Sequence, residues 1–178
     1  MRVISGRWRG RAITAPAGQA TRPTSDRARE AIFSMLASRL GSFEGLDVLD
    51  VFAGTGALGI EALSRGAGSA CFIDSDGAAV KAIRANLATL GAAGDVRQSP
   101  VTSLGPAPRA HHLVFLDPPY GQGLAGPALG LLHAEGWIAP GAIISIETAV
   151  TDTLACDWEV IVERRFGKAL VRLLRAPA

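Results

Sequence analysis

From residue 46 onward the chain alternates. Strand-like runs at 46–52 (LDVLDVF), 70–74 (ACFID), 95–99 (DVRQS), 112–117 (HLVFLD) and 142–148 (AIISIET) are separated by helical patterns near 57–65, 77–90 and 124–135. Strands alternating with helices of this length form βαβ units, and the parallel sheet they build is covered on both faces. Two further runs, 158–166 (WEVIVERRF) and 168–175 (KALVRLLR), meet at Gly167 and predict a closing antiparallel hairpin. Ahead of the alternation, Ser25 or Thr24 can cap a helix. Its apolar positions Ala28, Ala31, Ile32, Met35, Leu36 and Leu40 recur at helical spacing as far as Gly41.

A chain of 178 residues with 48% hydrophobic content can bury one sizeable core, so a single globular domain is expected. Residues 1–24 are read as an N-terminal basic hairpin or arm, and 25–178 as the domain proper. No apolar run approaches the roughly 20 residues of a membrane span, and MRVISGRWRGR has no secretion signature. Cys71 and Cys156 match no metal spacing, no metal site is expected, and a cytoplasmic location follows. Charge is unevenly placed. The first 30 residues carry seven arginines against Asp26 and Glu30, a net of +5, whereas the remainder has a net of −3. A basic arm on a mildly acidic body is the asymmetry of a nucleic-acid binder, or of a merely solvated tail. If RWRGR is extended, Arg7, Arg9 and Arg11 form one basic stripe with Trp8 and Gly10 on the other side.

In a doubly wound sheet, ligands bind beyond the carboxyl ends of the strands near the topological switch point. Residues 48–59 read VLDVFAGTGALG, in which Gly54, Gly56 and Gly59 satisfy G-x-G-x-x-G between a strand and a helix. Asp74 ends the next strand and can accept hydrogen bonds from ribose hydroxyls. Taken alone, this fits a nicotinamide dinucleotide as well as an adenosyl group. Asp50, four residues before Gly54, shifts the choice: it would repel a pyrophosphate and attract a cofactor carrying an ammonium and a sulfonium.

The second discriminating motif is Asp117-Pro118-Pro119-Tyr120, where the fourth strand leaves the sheet. An exocyclic amine conjugated to a purine is a poor nucleophile because its lone pair is delocalised. The Asp117 carboxylate and the Pro118 carbonyl can hold both N–H groups and turn that lone pair toward a methyl group. Tyr120 can stack on a flipped base, a contact worth about 1–3 kcal/mol. The expectation is that the ring matters and the hydroxyl does not. His111, His112 and His133 are expected to have no chemical role.

D-x-F-x-G-x-G at 50–56 followed by D-P-P-Y at 117–120 resembles the class I methyltransferases that act on planar nitrogens. RVISGRWRGR (2–11) and RPTSDRAREAIFSML (22–36) narrow the resemblance to the bacterial 16S ribosomal RNA guanine-N2 methyltransferases, the RsmD-like family. The resemblance implies an α/β, Rossmann-like fold: a seven-stranded, mostly parallel sheet with a C-terminal antiparallel hairpin. It implies S-adenosylmethionine as cofactor and, as substrate, one guanine of the small-subunit RNA in an assembled or assembling subunit, with the enzyme a monomer. By the same resemblance Asp50, Phe52, Gly54 and Gly56 surround the methionine part and Asp74 holds the ribose. Asp117, Pro118, Pro119 and Tyr120 hold the guanine. Arg7, Arg9, Arg11, Arg22 and Arg27 are the RNA-binding candidates. The family usually has an acid near the adenine after the third strand, whereas this chain reads QSPV with Pro100, so a backbone contact at Ser99 or Val101 is expected instead. The alternatives are a protein-glutamine or DNA adenine methyltransferase, a nicotinamide-dependent oxidoreductase and a non-catalytic RNA-binding module.

Overall fold

The computed structural model describes residues 1–16 and 25–178, so Arg22 lies outside the described residues. Helix α1 (Asp26–Leu40) begins where Ser25 Oγ accepts the Ala28 N–H at 3.1 Å and ends at Gly41, whose φ is +73°. The alternation then gives β1 (Asp47–Val51), α2 (Ala57–Ser64), β2 (Ser69–Asp74), α3 (Gly77–Leu90) and β3 (Asp95–Gln98). After a short 3₁₀ turn (Val101–Ser103) come β4 (His111–Leu116), α4 (Ala125–Ala134), β5 (Ile138–Ala149), β6 (Glu159–Phe166) and β7 (Ala169–Arg175).

These strands form one seven-stranded sheet in the order β3-β2-β1-β4-β5-β7-β6. The first five run parallel, while β7 pairs antiparallel with both β5 and β6. The chain winds outward from β1 to β3 and then returns to β4 on the other flank of β1. The switch point therefore lies between β1 and β4, and a crevice opens beyond their carboxyl ends.

The central strands are buried on both sides, as their near-continuous apolar runs require. Leu113 and Phe115 of β4 face a core shared with Phe33, Leu36, Ile60 and Ile83 of α1, α2 and α3. Val114 and Leu116 face a second core with Leu129 and Leu132 of α4 and the buried Trp137. Phe33 and Phe115 pack as a tilted pair, 5.6 Å between ring centroids. Truncating such a ring to alanine costs about 3–5 kcal/mol. Among the described residues, no helix is long and apolar enough to cross a membrane.

The N-terminal segment takes the hairpin alternative, so the basic stripe that an extended segment would give does not form. Val3 and Ile13 are buried in the α1–α3 core, and their flanking backbone pairs as a hairpin (Val3 N–H to Arg11 O, 2.9 Å). Residues 5–10 turn at the tip rather than run straight. The Arg7 guanidinium consequently lies over the Trp8 ring, 4.5 Å from its centroid, instead of on the opposite side. The physical reason is a set of fixed acceptors beneath the tip. Ser64 O takes the Arg7 N–H, Ser64 Oγ takes the Trp8 N–H, and the Arg7 and Arg11 guanidinia reach Leu63 O and Thr89 O. Those carbonyls end α2 and α3, where cations complement the helix dipole.

Candidate active site

A cleft of about 520 Å³ opens at the carboxyl ends of β1, β2 and β4. Asp50, Phe52, Gly54, Asp74, Asp117, Pro118, Pro119 and Tyr120 line it together. Two expected residues do not. Gly56, with φ +76°, lies behind the loop, where an added Cβ would meet Ile83 at 3.2 Å. Ser99 is turned along the sheet edge, its N–H bonded to Asp74 O and its hydroxyl to Pro100 O.

The glycine turn is shaped by three separate demands. Gly54 has φ +57° and open space around it, so it serves backbone conformation alone. Gly59 serves packing, because a Cβ there would come within 2.4 Å of the Phe72 ring and 3.2 Å of Asp50 Oδ2. Phe52 holds φ +59° without being glycine, a left-handed conformation that costs about 1–3 kcal/mol and is typical of functional loops. Asp74 ties the turn together: its Oδ2 accepts the Gly54 N–H and its Oδ1 the Asp76 N–H, both at 2.9 Å.

Asp50, whose charge was expected to attract a cationic cofactor, is buried in the sheet. It belongs to β1, is 1% exposed, and accepts the Gly59 N–H at 2.9 Å. Burial pushes its pKa up to about 8; the Gly59 hydrogen bond opposes this and the Asp74 charge adds to it. At neutral pH the group is therefore mostly a protonated carboxyl until a cation is placed beside it. The native state keeps a proton that the unfolded chain gives up near pH 4, so this group makes stability fall as pH rises from about 4 to about 8. A cationic ligand reverses the preference by releasing that proton. Affinity for the S-adenosylmethionine that the resemblance implies should rise by up to about tenfold per pH unit between pH 6 and 8, and Asp50→Asn should flatten the profile. Calorimetric titration across that range checks this, and a flat profile in the parent protein would remove Asp50 from the cofactor's surroundings.

At the tetrapeptide, the Tyr120 hydroxyl donates to Glu147 Oε1 near the end of β5. The hydroxyl thus orients the ring, contrary to the expectation that only the ring matters, and Tyr120→Phe should lose part of the activity. Asp152 Oδ2 braces the exit by accepting the Gly121 and Ala149 N–H groups. The histidines stand apart from the cleft. His111 is buried against Trp137, and His112 accepts the Asp47 N–H.

Sequence reasoning did not place Arg29 in the cofactor cleft, which it lines while fully buried. One of its terminal nitrogens donates to Arg2 O and, at 2.9 Å, to Asp26 Oδ1, while the other lies 3.3 Å from the weakly accepting Met1 sulfur. Its Nε is the one buried side-chain nitrogen or oxygen without a partner among the described residues. Arg29 precedes Ile32, Phe33 and Leu36 at helical spacing, so its place on the buried stripe was a usable signal. Among the described residues, the lining therefore holds one cationic side chain beside the acids Asp50, Asp74, Asp76, Asp117 and Glu147. That set suits a zwitterionic amino-acid end joined to a ribose: acids for an ammonium and for hydroxyls, and a guanidinium with an orphaned donor for a carboxylate.

A doubly wound sheet whose last strand is reversed, with a glycine turn, a strand-end acid and a DPPY corner in one cleft, defines a class I S-adenosylmethionine-dependent methyltransferase. Comparison with solved structures agrees. The yhhF protein of Escherichia coli is 39% identical and superposes with a TM-score of 0.88, over 100% of this chain and 98% of that one. A Thermus thermophilus 16S rRNA N2 methyltransferase, in complex with AdoMet and guanosine, shares the fold with a TM-score of 0.71 at 19% identity, over 88% and 45%. The family model described as Conserved hypothetical protein 95 matches residues 1–175, and the chain belongs to that family. Among its relatives is Ribosomal RNA small subunit methyltransferase D of Escherichia coli, 38% identical over 100% of this chain and 91% of the relative. The Haemophilus influenzae protein of the same name is 35% identical over 97% and 92%.

Proposed function

We propose that the protein methylates the exocyclic N2 amine of a guanine in small-subunit ribosomal RNA, acting in the cytoplasm as a monomer on an assembled or assembling subunit. The observation that carries this reading is the meeting of Asp117–Tyr120 with the glycine turn and Asp74 in one cleft. S-adenosylmethionine, when bound, supplies an electrophilic methyl group. Asp74 holds the ribose with the lone pairs left over from Gly54 and Asp76. Asp50, Phe52 and Gly54 surround the methionine part, and Gly56 keeps the turn in shape from behind.

The Asp117 carboxylate and the Pro118 carbonyl accept the two N–H bonds of the target amine, and Tyr120 stacks on the base while Glu147 holds its hydroxyl. No strong base is needed, since the nitrogen can shed its proton after methyl transfer; the gain comes from orientation, on the order of 7–11 kcal/mol. Arg27 in the first turn of α1, with Arg7, Arg9, Arg11 and Arg22, contacts RNA beyond the flipped base. Incubating the enzyme and labelled S-adenosylmethionine with small subunits, protein-free RNA and total soluble protein tests the reading. Label should enter the RNA of the subunits, whereas label confined to protein would favour a glutamine acceptor.

Arg29 is assigned the cofactor carboxylate. A charge-assisted hydrogen bond contributes about 1.5–3 kcal/mol, so Arg29→Met should weaken S-adenosylhomocysteine binding roughly 10- to 150-fold. Methylthioadenosine, which lacks the carboxylate, should bind parent and variant alike. Equal losses for both ligands, measured by calorimetry, would make Arg29 a purely structural residue.

A further inference from the structure

Among the described residues the cleft wall carries more acids than cations, which favours cations at its rim for the phosphates flanking an entering base. The arm tip is badly placed for this. α2 starts at the cleft with Ala57 and Leu58, and Arg7 is bonded to Leu63 O in its last turn, roughly 10 Å farther down the helix. The β6–β7 turn lies at the opposite, cleft-bearing end of the sheet. Because β7 runs against β5, Ala169 stands opposite Ala149, and the Val150 N–H donates to Lys168 O at 3.0 Å. Lys168 is thus only about three strand residues, roughly 10 Å, along the sheet from Glu147, the partner of Tyr120.

Arg164, Arg165 and Lys168 are all exposed there. Arg165 Nε donates to Gly167 O at 2.8 Å, which fixes that guanidinium over its own turn. The nearest acid of β6, Glu163, is engaged by Arg172 at 2.7 Å, and Asp152 is engaged by two backbone N–H groups. Arg164 and Arg165 are consecutive on β6 and leave opposite faces of the sheet, so with Lys168 on the turn the three cations surround the hairpin tip near the tyrosine.

We propose that Arg164, Arg165 and Lys168 form a phosphate-contact surface that holds the RNA backbone next to the flipped base. The inference rests on the ribosomal RNA reading above. Each phosphate contact contributes about 0.7–0.9 to the log–log salt slope of affinity. Losing three lowers the slope by about 2–3 and weakens binding at about 0.1 M salt on the order of a hundredfold.

The probe is small ribosomal subunits from a strain lacking the enzyme, titrated at several salt concentrations. The parent is compared with the triple variant Arg164→Ala, Arg165→Ala, Lys168→Ala and with a triple alanine variant at Arg7, Arg9 and Arg11. The rim variant should show a slope shallower than the parent's by about 2–3 and keep normal S-adenosylhomocysteine affinity, which reports an intact fold. A rim variant with the parent's affinity and slope would overturn the inference alone. A parent that does not bind subunits would overturn the ribosomal reading and this inference with it. Should the rim variant lose cofactor affinity, charge reversal at Lys168 alone provides the decisive comparison, with unchanged subunit affinity overturning the proposal.

Discussion

Asp117→Ala is expected to bind S-adenosylhomocysteine about as well as the parent while losing methyl transfer on the order of a thousandfold, the scale seen when one preorganised polar partner is removed from a reacting centre. Asp117 is the first residue beyond β4, with its N–H directed at Val51 O and its neighbour Pro118 buried, so the corner is held between the ends of β1 and β4. Proline fixes φ on both following residues and stiffens the exit. Truncating Asp117 therefore removes an acceptor without releasing the backbone that carries it. Asp117→Asn keeps the shape but turns one acceptor into a donor, and should fall between parent and alanine variant. Initial rates with labelled cofactor, paired with calorimetry, separate the effects. Near-normal turnover in a folded Asp117→Ala enzyme would eliminate the proposed orientation of the amine.

A comparably large effect on stability is expected at Glu61, in the middle of α2 and 0% exposed. Its two oxygens accept the Ile4 N–H at 2.8 Å, the Ser5 N–H at 2.9 Å and Arg65 Nε at 2.9 Å. Its charge also supports the buried Arg29, whose pKa is otherwise lowered by desolvation. Glu61→Ala leaves two backbone donors and a guanidinium uncompensated, at a cost of about 3–5 kcal/mol. For a chain of this size that is a fall of roughly 6–20 °C in the unfolding midpoint. Cofactor affinity should weaken as well, because Arg29 is held by Arg2 O at the start of the same segment. A thermal scan checks the first effect and calorimetry the second. A midpoint within about 2 °C of the parent would mean that the N-terminal segment is anchored through other contacts.

The elements of the fold were readable because their signals are local. The helix at 77–90 coincides with α3, and its limits follow from the Asp76 cap and Gly91 at φ +64°. The closing hairpin at Gly167 and the helix ending at Gly41 were equally local. What stayed hidden depends on which distant group a polar side chain meets. Glu61 is an ionic residue on a buried helix face that sequence reading takes as solvent-facing, whereas the apolar neighbours of Arg29 at helical spacing did mark its face as buried. Tyr120 and Glu147 are separated by 27 residues and joined only because β4 and β5 are neighbours. The basic stripe depended on an extended tip, and the tip's turn is dictated by α2 groups more than fifty residues away in sequence, the Leu63 carbonyl and the Ser64 hydroxyl. Ser99 was offered, with Val101, as a backbone contact to the adenine because Pro100 departs from the family pattern, and its N–H is instead bonded to Asp74 O.

The measurement closest to the central claim is the identity of the methylated atom. Small subunits from a strain lacking the enzyme are incubated with it and with deuterated S-adenosylmethionine, and their RNA is digested to nucleosides for mass spectrometry. The account predicts that the heavy methyl appears in N2-methylguanosine, and that it is absent when the Asp117→Ala enzyme is used. A heavy methyl on a ring nitrogen, a ribose oxygen or another base would contradict it.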